Sequence, residues 1–79
     1  MWTVYVIKSK EGYIYTGMSK DIKRRLSEHN SGYSKWTKRG NNWKLVYSEK
    51  FDSSKEARQR EKYYKTNSGK EWLQRRLAI

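Results

Sequence analysis

The chain contains no cysteine, which removes disulfide staples, thiolate nucleophiles and cysteine-based zinc sites together. Histidine is nearly absent as well: His29 is the only one, too few nitrogen donors for a structural zinc. No apolar run approaches the length of a membrane-spanning helix. The first ten residues lack the basic-then-apolar order of a secretion signal, so a cytoplasmic location is expected. Seventy-nine residues leave room for one small core, and a single domain over residues 1–79 is expected. Acidic residues are also scarce, 8 against 19 Lys and Arg, a net charge of +11. Such a field favours a polyanionic partner. DNA is the expected partner, with RNA left open. An anionic membrane fits less well, because the basic residues do not alternate with a broad Leu/Phe face.

What is present falls into short periodic segments. Trp2–Lys8 and residues 13–17 are rich in Val, Ile, Thr and aromatics, and Lys10, Glu11 and Gly12 between them read as a hairpin turn. Alternation places Thr3, Tyr5 and Ile7 on one face, and Tyr13, Tyr15 and Gly17 on one face of the second strand. Whether Tyr5 meets Tyr15 depends on register. Residues 21–30 have helical spacing, with Ile22, Arg25, Leu26 and His29 on the inward stripe and Lys23, Arg24, Ser27 and Glu28 outside. Residues 32–42 read as an exposed loop. Residues 43–51 form a third strand, with Trp43, Leu45, Tyr47 and Phe51 sharing a face. Ser53 with Glu56 fits a capping box before a helix over 54–66, whose stripe is Ala57, Arg60, Glu61 and Tyr64. Ser68 with Glu71 repeats the pattern and opens a last helix offering Trp72, Leu73 and Leu77 to the core. The order ββαβαα predicts an α+β fold, a small three-stranded, mainly antiparallel sheet flanked by helices.

Polar side chains stand where these stripes face inward, and burying an unpaired charge costs several kcal/mol. Singly, each has an ordinary explanation. Arg25 can pair with Asp21 one turn earlier, His29 can complement a helix C-terminus, and Glu61 can pair with Lys65. Tyr5, Tyr13, Tyr15 and Tyr47 can be strand packing. Together they form a pattern: T-V-Y at 3–5, Y-T-G at 15–17, Arg25 and His29 on the next helix, Glu61 on a later one. The runs "VYVIKS", "YTGMSKDIKRRLSEHNSG", "WKLVYSEKF" and "EARQREKYYKTNSGKEWLQRRL" cover nearly the whole chain. In these the sequence resembles the GIY-YIG nuclease domain, and in particular its small stand-alone bacterial members.

The resemblance implies an endonuclease that hydrolyses phosphodiester bonds in DNA with one divalent metal ion, Mg²⁺ or Mn²⁺, in the setting of repair or recombination. It assigns the family's tyrosines to Tyr5 and Tyr15, its helix arginine to Arg25, the following histidine to His29 and its metal-binding glutamate to Glu61. The residue types suit those roles. Glu61 is a hard oxygen ligand for an ion that keeps most of its waters. Arg25 offers a forked donor set to the phosphorane. A tyrosine, Tyr5 for preference, with its pKa lowered by neighbouring cations and the metal, takes a proton from attacking water, with His29 assisting. Thr3 and Thr16 depart from the family's name residues, whereas Gly17 keeps the position where a missing side chain permits close approach. Asn67 is the nearest match to a late asparagine of the family, and also a plain turn or cap residue. Phosphate contacts fall to Lys20, Lys23, Arg24, Lys35, Lys38 and Arg39, and Trp36, with Tyr33, offers a stacking surface. The alternative is a basic nucleic-acid-binding module with little or no chemistry.

Overall fold

Residues 2–8 show why this chain makes a sheet with one central strand. Val4, Tyr5, Val6 and Ile7 are wholly buried and Thr3 nearly so. Consecutive burial means that both faces of the strand are covered. In the computed structural model, which describes residues 1–31, 40 and 42–77, β1 (Trp2–Lys8) therefore lies between β2 (Ile14–Ser19) and β3 (Lys44–Phe51), antiparallel to both. The helices are α1 (Ile22–Asn30), α2 (Ser54–Tyr64) and α3 (Asn67–Leu77), in the expected order ββαβαα. Lys35, Trp36, Lys38 and Arg39, with Tyr33, lie outside the described residues. Among those residues no helix is long and apolar enough to cross a membrane.

The first turn is organised by Ser9. Its N–H donates to Tyr13 O (2.9 Å), its carbonyl accepts from Gly12 N (3.0 Å), and its hydroxyl accepts from Tyr13 N. Gly12 takes φ +97°, open only to a residue without a Cβ at little cost. The turn thus occupies 9–13, wider than the three residues expected, and Tyr13 is exposed ahead of β2.

Two apolar layers sandwich the sheet. On one face Val4 and Val6 pack with Ala57, Tyr64 and Leu73 beneath α2 and α3. On the other Tyr5, Ile7 and Trp43 pack with Ile22 and Leu26 of α1. Each fully buried Val or Ile here contributes up to about 1.5–3 kcal/mol.

Three expectations are corrected. Strict alternation along β3 fails: Val6 pairs with Tyr47 but Ile7 with Leu45, leaving Val46 as the extra residue of a bulge. The phase flips there, so Trp43 joins the α1 layer, Tyr47 and Phe51 join the other, and Leu45 is left 42% exposed. The cap of the last helix lies two residues before Ser68. The Thr66 hydroxyl accepts from Gly69 N (3.1 Å) and its carbonyl from Lys70 N (2.9 Å), so Thr66 is the cap and Asn67 becomes the first helical residue. Lastly, Asp21 does not pair with Arg25. Its carboxylate caps α1, accepting from Arg24 N. The Ser53–Glu56 pair caps α2 as expected, with Glu56 N donating to the Ser53 hydroxyl.

Candidate active site

The core of the site is a phenol against an imidazole. Tyr5 comes from the central strand and His29 from the last turn of α1, and the Tyr5 hydroxyl lies 2.9 Å from His29 Nε2. Both are buried. The register settles how Tyr15 joins them: Tyr5 faces Gly17 across the β1–β2 pair and Ile7 faces Tyr15, so the tyrosines are diagonal neighbours on one face. Their ring centroids are 6.4 Å apart, and that of His29 is 5.9 Å from Tyr5 and 4.9 Å from Tyr15.

Gly17 makes this arrangement possible. A Cβ there would stand 2.6 Å from the Tyr5 hydroxyl oxygen and 3.1 Å from the Tyr15 ring. The backbone of β2 forms the wall against which the Tyr5 hydroxyl rests, and any side chain would displace it.

Arg25 lies one turn before His29. Its Nη1 donates to Glu28 Oε1 at 2.9 Å, and it acts on the Tyr5 hydroxyl as hydrogen-bond partner and as positive charge. Burial raises the Tyr5 pKa, and Arg25 opposes that rise without cancelling it. In the protein alone, desolvation outweighs the Arg25 cation, so the cation part of the expected lowering is not enough by itself. His29 moves the other way: burial first, then the Arg25 charge, lowers its pKa, with Glu28 opposing. At neutral pH the pair is a neutral phenol and a neutral imidazole.

Glu61 projects from α2 with its side chain only 19% exposed, and Oε2 accepts from Lys65 Nζ at 3.2 Å. The helical pairing considered as its ordinary role is therefore formed. The same lysine ties Glu61 to the cluster, since Lys65 Nζ stands 5.9 Å from the centroid of the Tyr15 ring. The Glu61 charge is also among those acting on Tyr5. As a donor set, one carboxylate without a group of three or more His, Cys, Asp or Glu among the described residues fits a hard ion that retains its waters and does not fit zinc.

Of the basic residues, Lys20 is exposed and holds its ammonium 5.2 Å from the Trp2 ring centroid. Lys23 and Arg24 are exposed on the outer side of α1, Arg24 reaching Glu28 only at 4.0 Å. Lys35, Trp36, Lys38 and Arg39 fall outside the described residues.

Sequence reasoning placed Glu28 on the outer face and missed its hold on Arg25, although the i,i+3 spacing is a readable signal. Arg60, the other charge on an inward stripe, is explained by packing. Its Nε donates to Glu49 at 3.0 Å, and its guanidinium carbon lies 4.8 Å from the Tyr64 ring centroid and 5.5 Å from that of Trp72.

Known proteins resemble this chain in sequence and in fold. A family model described as the GIY-YIG catalytic domain matches residues 1–76. The UPF0213 protein SSP2268 of Staphylococcus saprophyticus is 46% identical over 66 residues, 82% of this chain and 80% of that protein. The UPF0213 protein SAG0778 of Streptococcus agalactiae is 43% identical over 63 residues, 78% of this chain and 72% of that protein. Among solved structures, the solution structure of the UPF0213 protein BH0048 from Bacillus halodurans matches with a TM-score of 0.56 and 35% identity, covering 92% of this chain and 82% of that one. The chain belongs to the GIY-YIG family, whose members are generally endonucleases and typically use a divalent metal ion.

Proposed function

We propose that the protein is a metal-dependent endonuclease that hydrolyses phosphodiester bonds in DNA. The observation that carries this reading is the convergence of Tyr5, Tyr15, Arg25 and His29 from β1, β2 and α1, with Glu61 of α2 tied in through Lys65. In this reading Glu61 holds one Mg²⁺ or Mn²⁺, which on binding supplies positive charge to the phosphate oxygens. Tyr5 moves the proton. A phenol with a raised pKa is a poor free base, but this one is hydrogen-bonded to a neutral imidazole. As Tyr5 takes a proton from the attacking water it passes its own to His29, so no free phenolate has to form. Arg25, oriented by Glu28, braces the charge that develops on the phosphorane. Tyr15, its ring tilted against His29, positions the phosphate, and the exposed Lys20, Lys23 and Arg24 hold neighbouring phosphates, with Lys35, Lys38 and Arg39 assigned the same role from sequence.

A second reading, a binding module without chemistry, is favoured by the Glu61–Lys65 bond, which already gives that carboxylate a structural partner. Glu61→Gln separates the two. It keeps the side-chain length and removes the charge that would hold the ion, so cleavage collapses while DNA binding persists or tightens slightly. If Glu61 serves only its lysine, the change costs at most about 0.5 kcal/mol of stability and leaves cleavage untouched. Metal-dependent cleavage, DNA binding and melting of wild type, Glu61→Gln and Arg25→Ala decide it. Full activity in a folded Glu61→Gln protein defeats the metal assignment, and no metal-dependent cleavage by wild type favours the binding module.

A further inference from the structure

The cations of α2 fall into two groups. Arg60 donates to Glu49 and Lys65 to Glu61, so each of these has a carboxylate. Lys55, Arg58 and Lys62 are exposed, and among the described residues, which include all 8 acidic side chains, none of the three forms an ion pair. At about 100° per residue they fall within about 60° of arc, on the side of the helix away from the buried Ala57 and Tyr64. With Ser54 and Gln59 they line a cleft of about 370 Å³. The arrangement works against the helix. Arg58 and Lys62 are like charges at i,i+4, and Lys55 sits in the first turn, where the helix dipole disfavours a cation. An anionic partner laid along the stripe offsets both costs.

We infer that the outward face of α2 is a second phosphate track, which holds the DNA backbone through Lys55, Arg58 and Lys62. This deepens the nuclease reading and rests on it for the identity of the polyanion. Lys65, seven residues after Arg58, continues the same arc and stands at the candidate site, where its Nζ bonds Glu61 and lies 5.9 Å from the Tyr15 ring centroid. The track therefore leads to the site. α1 and α2 cover opposite faces of the sheet, and the site takes Arg25 and His29 from one helix and Glu61 from the other. Backbone crossing it meets Lys23 and Arg24 on one flank and the α2 stripe on the other. An anionic membrane offers the same charge, but the arc carries no apolar side chain to enter it.

The test compares two triple variants of equal charge loss. Lys55→Gln/Arg58→Gln/Lys62→Gln strips the track, and Lys10→Gln/Lys44→Gln/Lys50→Gln removes three exposed lysines from the hairpin turn and β3. Affinity for one duplex is measured across salt concentrations without added metal. The track variant lowers the log–log slope by about 2.7, about 0.9 for each of three phosphates, and melts no lower than wild type, since it removes repulsion rather than a contact. The control variant keeps most of its slope. Equal losses in the two variants overturn the track, because binding then follows net charge and not place, and so does an unchanged slope in the track variant. A track variant that keeps its DNA slope but no longer binds vesicles of anionic lipid gives the stripe to a membrane and also overturns it. Cleavage of the same duplex with Mg²⁺ is measured alongside. Slope loss confined to the track variant, with no cleavage by wild type, removes the nuclease reading and keeps the track. Cleavage by wild type with equal slopes in the two variants does the reverse.

Discussion

Gly17 shows how closely the site is built. A methyl group at this position would meet the Tyr5 hydroxyl at 2.6 Å, inside any tolerable contact, and the neighbour is a ring end fixed by burial. Gly17→Ala is expected to cost about 1–3 kcal/mol through overpacking and to lose cleavage even in the fraction that folds, because the Tyr5–His29 bond is displaced. Gly12→Ala is the control. Its Cβ would meet nothing within 4 Å, but its φ of +97° is strained for alanine, so it loses stability by about 1 kcal/mol and keeps activity. Urea unfolding and a cleavage assay on both variants check this. His29 carries the pH prediction. Its folded pKa lies below the ordinary 6.5 because burial and the Arg25 charge disfavour the imidazolium. Below about pH 6.5 the unfolded chain binds a proton that the folded chain refuses, so stability is full above that pH and declines as pH falls toward the folded value. Urea midpoints of wild type between pH 8 and 5 should show this decline, and His29→Gln should flatten it. Arg25, His29 and Glu61 each stand on a stripe expected to face inward, but singly each had an ordinary explanation, and only together with the tyrosines did they resemble the family's site. The direction of the Tyr5 pKa was not readable, since it depends on how deeply β1 is covered.

At the scale of elements, helix caps separate local signals from tertiary ones. Two hydroxyls precede or open α3, and both satisfy a capping rule on paper. Thr66 wins because Lys65 N donates to Lys62 O and Thr66 N to Tyr63 O, which closes α2, while the Thr66 hydroxyl and carbonyl accept from Gly69 N and Lys70 N of the next turn. Thr66→Ala should cost about 1 kcal/mol, or about 4–8 °C of melting temperature for a domain of this size, and Ser68→Ala should cost almost nothing. Thermal melts of the two variants distinguish them. β3 failed for a related reason. A bulge at Val46 is set by how β3 pairs with β1 and by where Trp43 and Tyr47 find apolar neighbours on opposite faces. No period inside residues 43–51 announces it.

For the whole molecule, charge is the dominant variable. If DNA is the substrate as proposed, a net +11 on 79 residues makes its binding a counterion-release process. The log–log slope against salt should approach about 0.9 per neutralised phosphate, with little dependence on sequence. Fluorescence titration of one duplex across salt concentrations measures it, and an affinity flat from low to moderate salt refutes it.

By itself the sequence determined the fold class, the order of elements and the charge, which depend on composition, periodicity and residue type, all local to the chain. The candidate catalytic side chains were singled out by the resemblance of their motifs to the GIY-YIG family. Tertiary structure alone decided that Tyr5 faces Gly17 and thereby stands beside Tyr15. It also decided that Glu28 rather than Asp21 holds Arg25 and that burial raises the Tyr5 pKa. Each of these is set by strand register or by the distance between elements remote in sequence. A shift of one residue in register would send Tyr5 and Tyr15 to opposite faces with every local propensity unchanged.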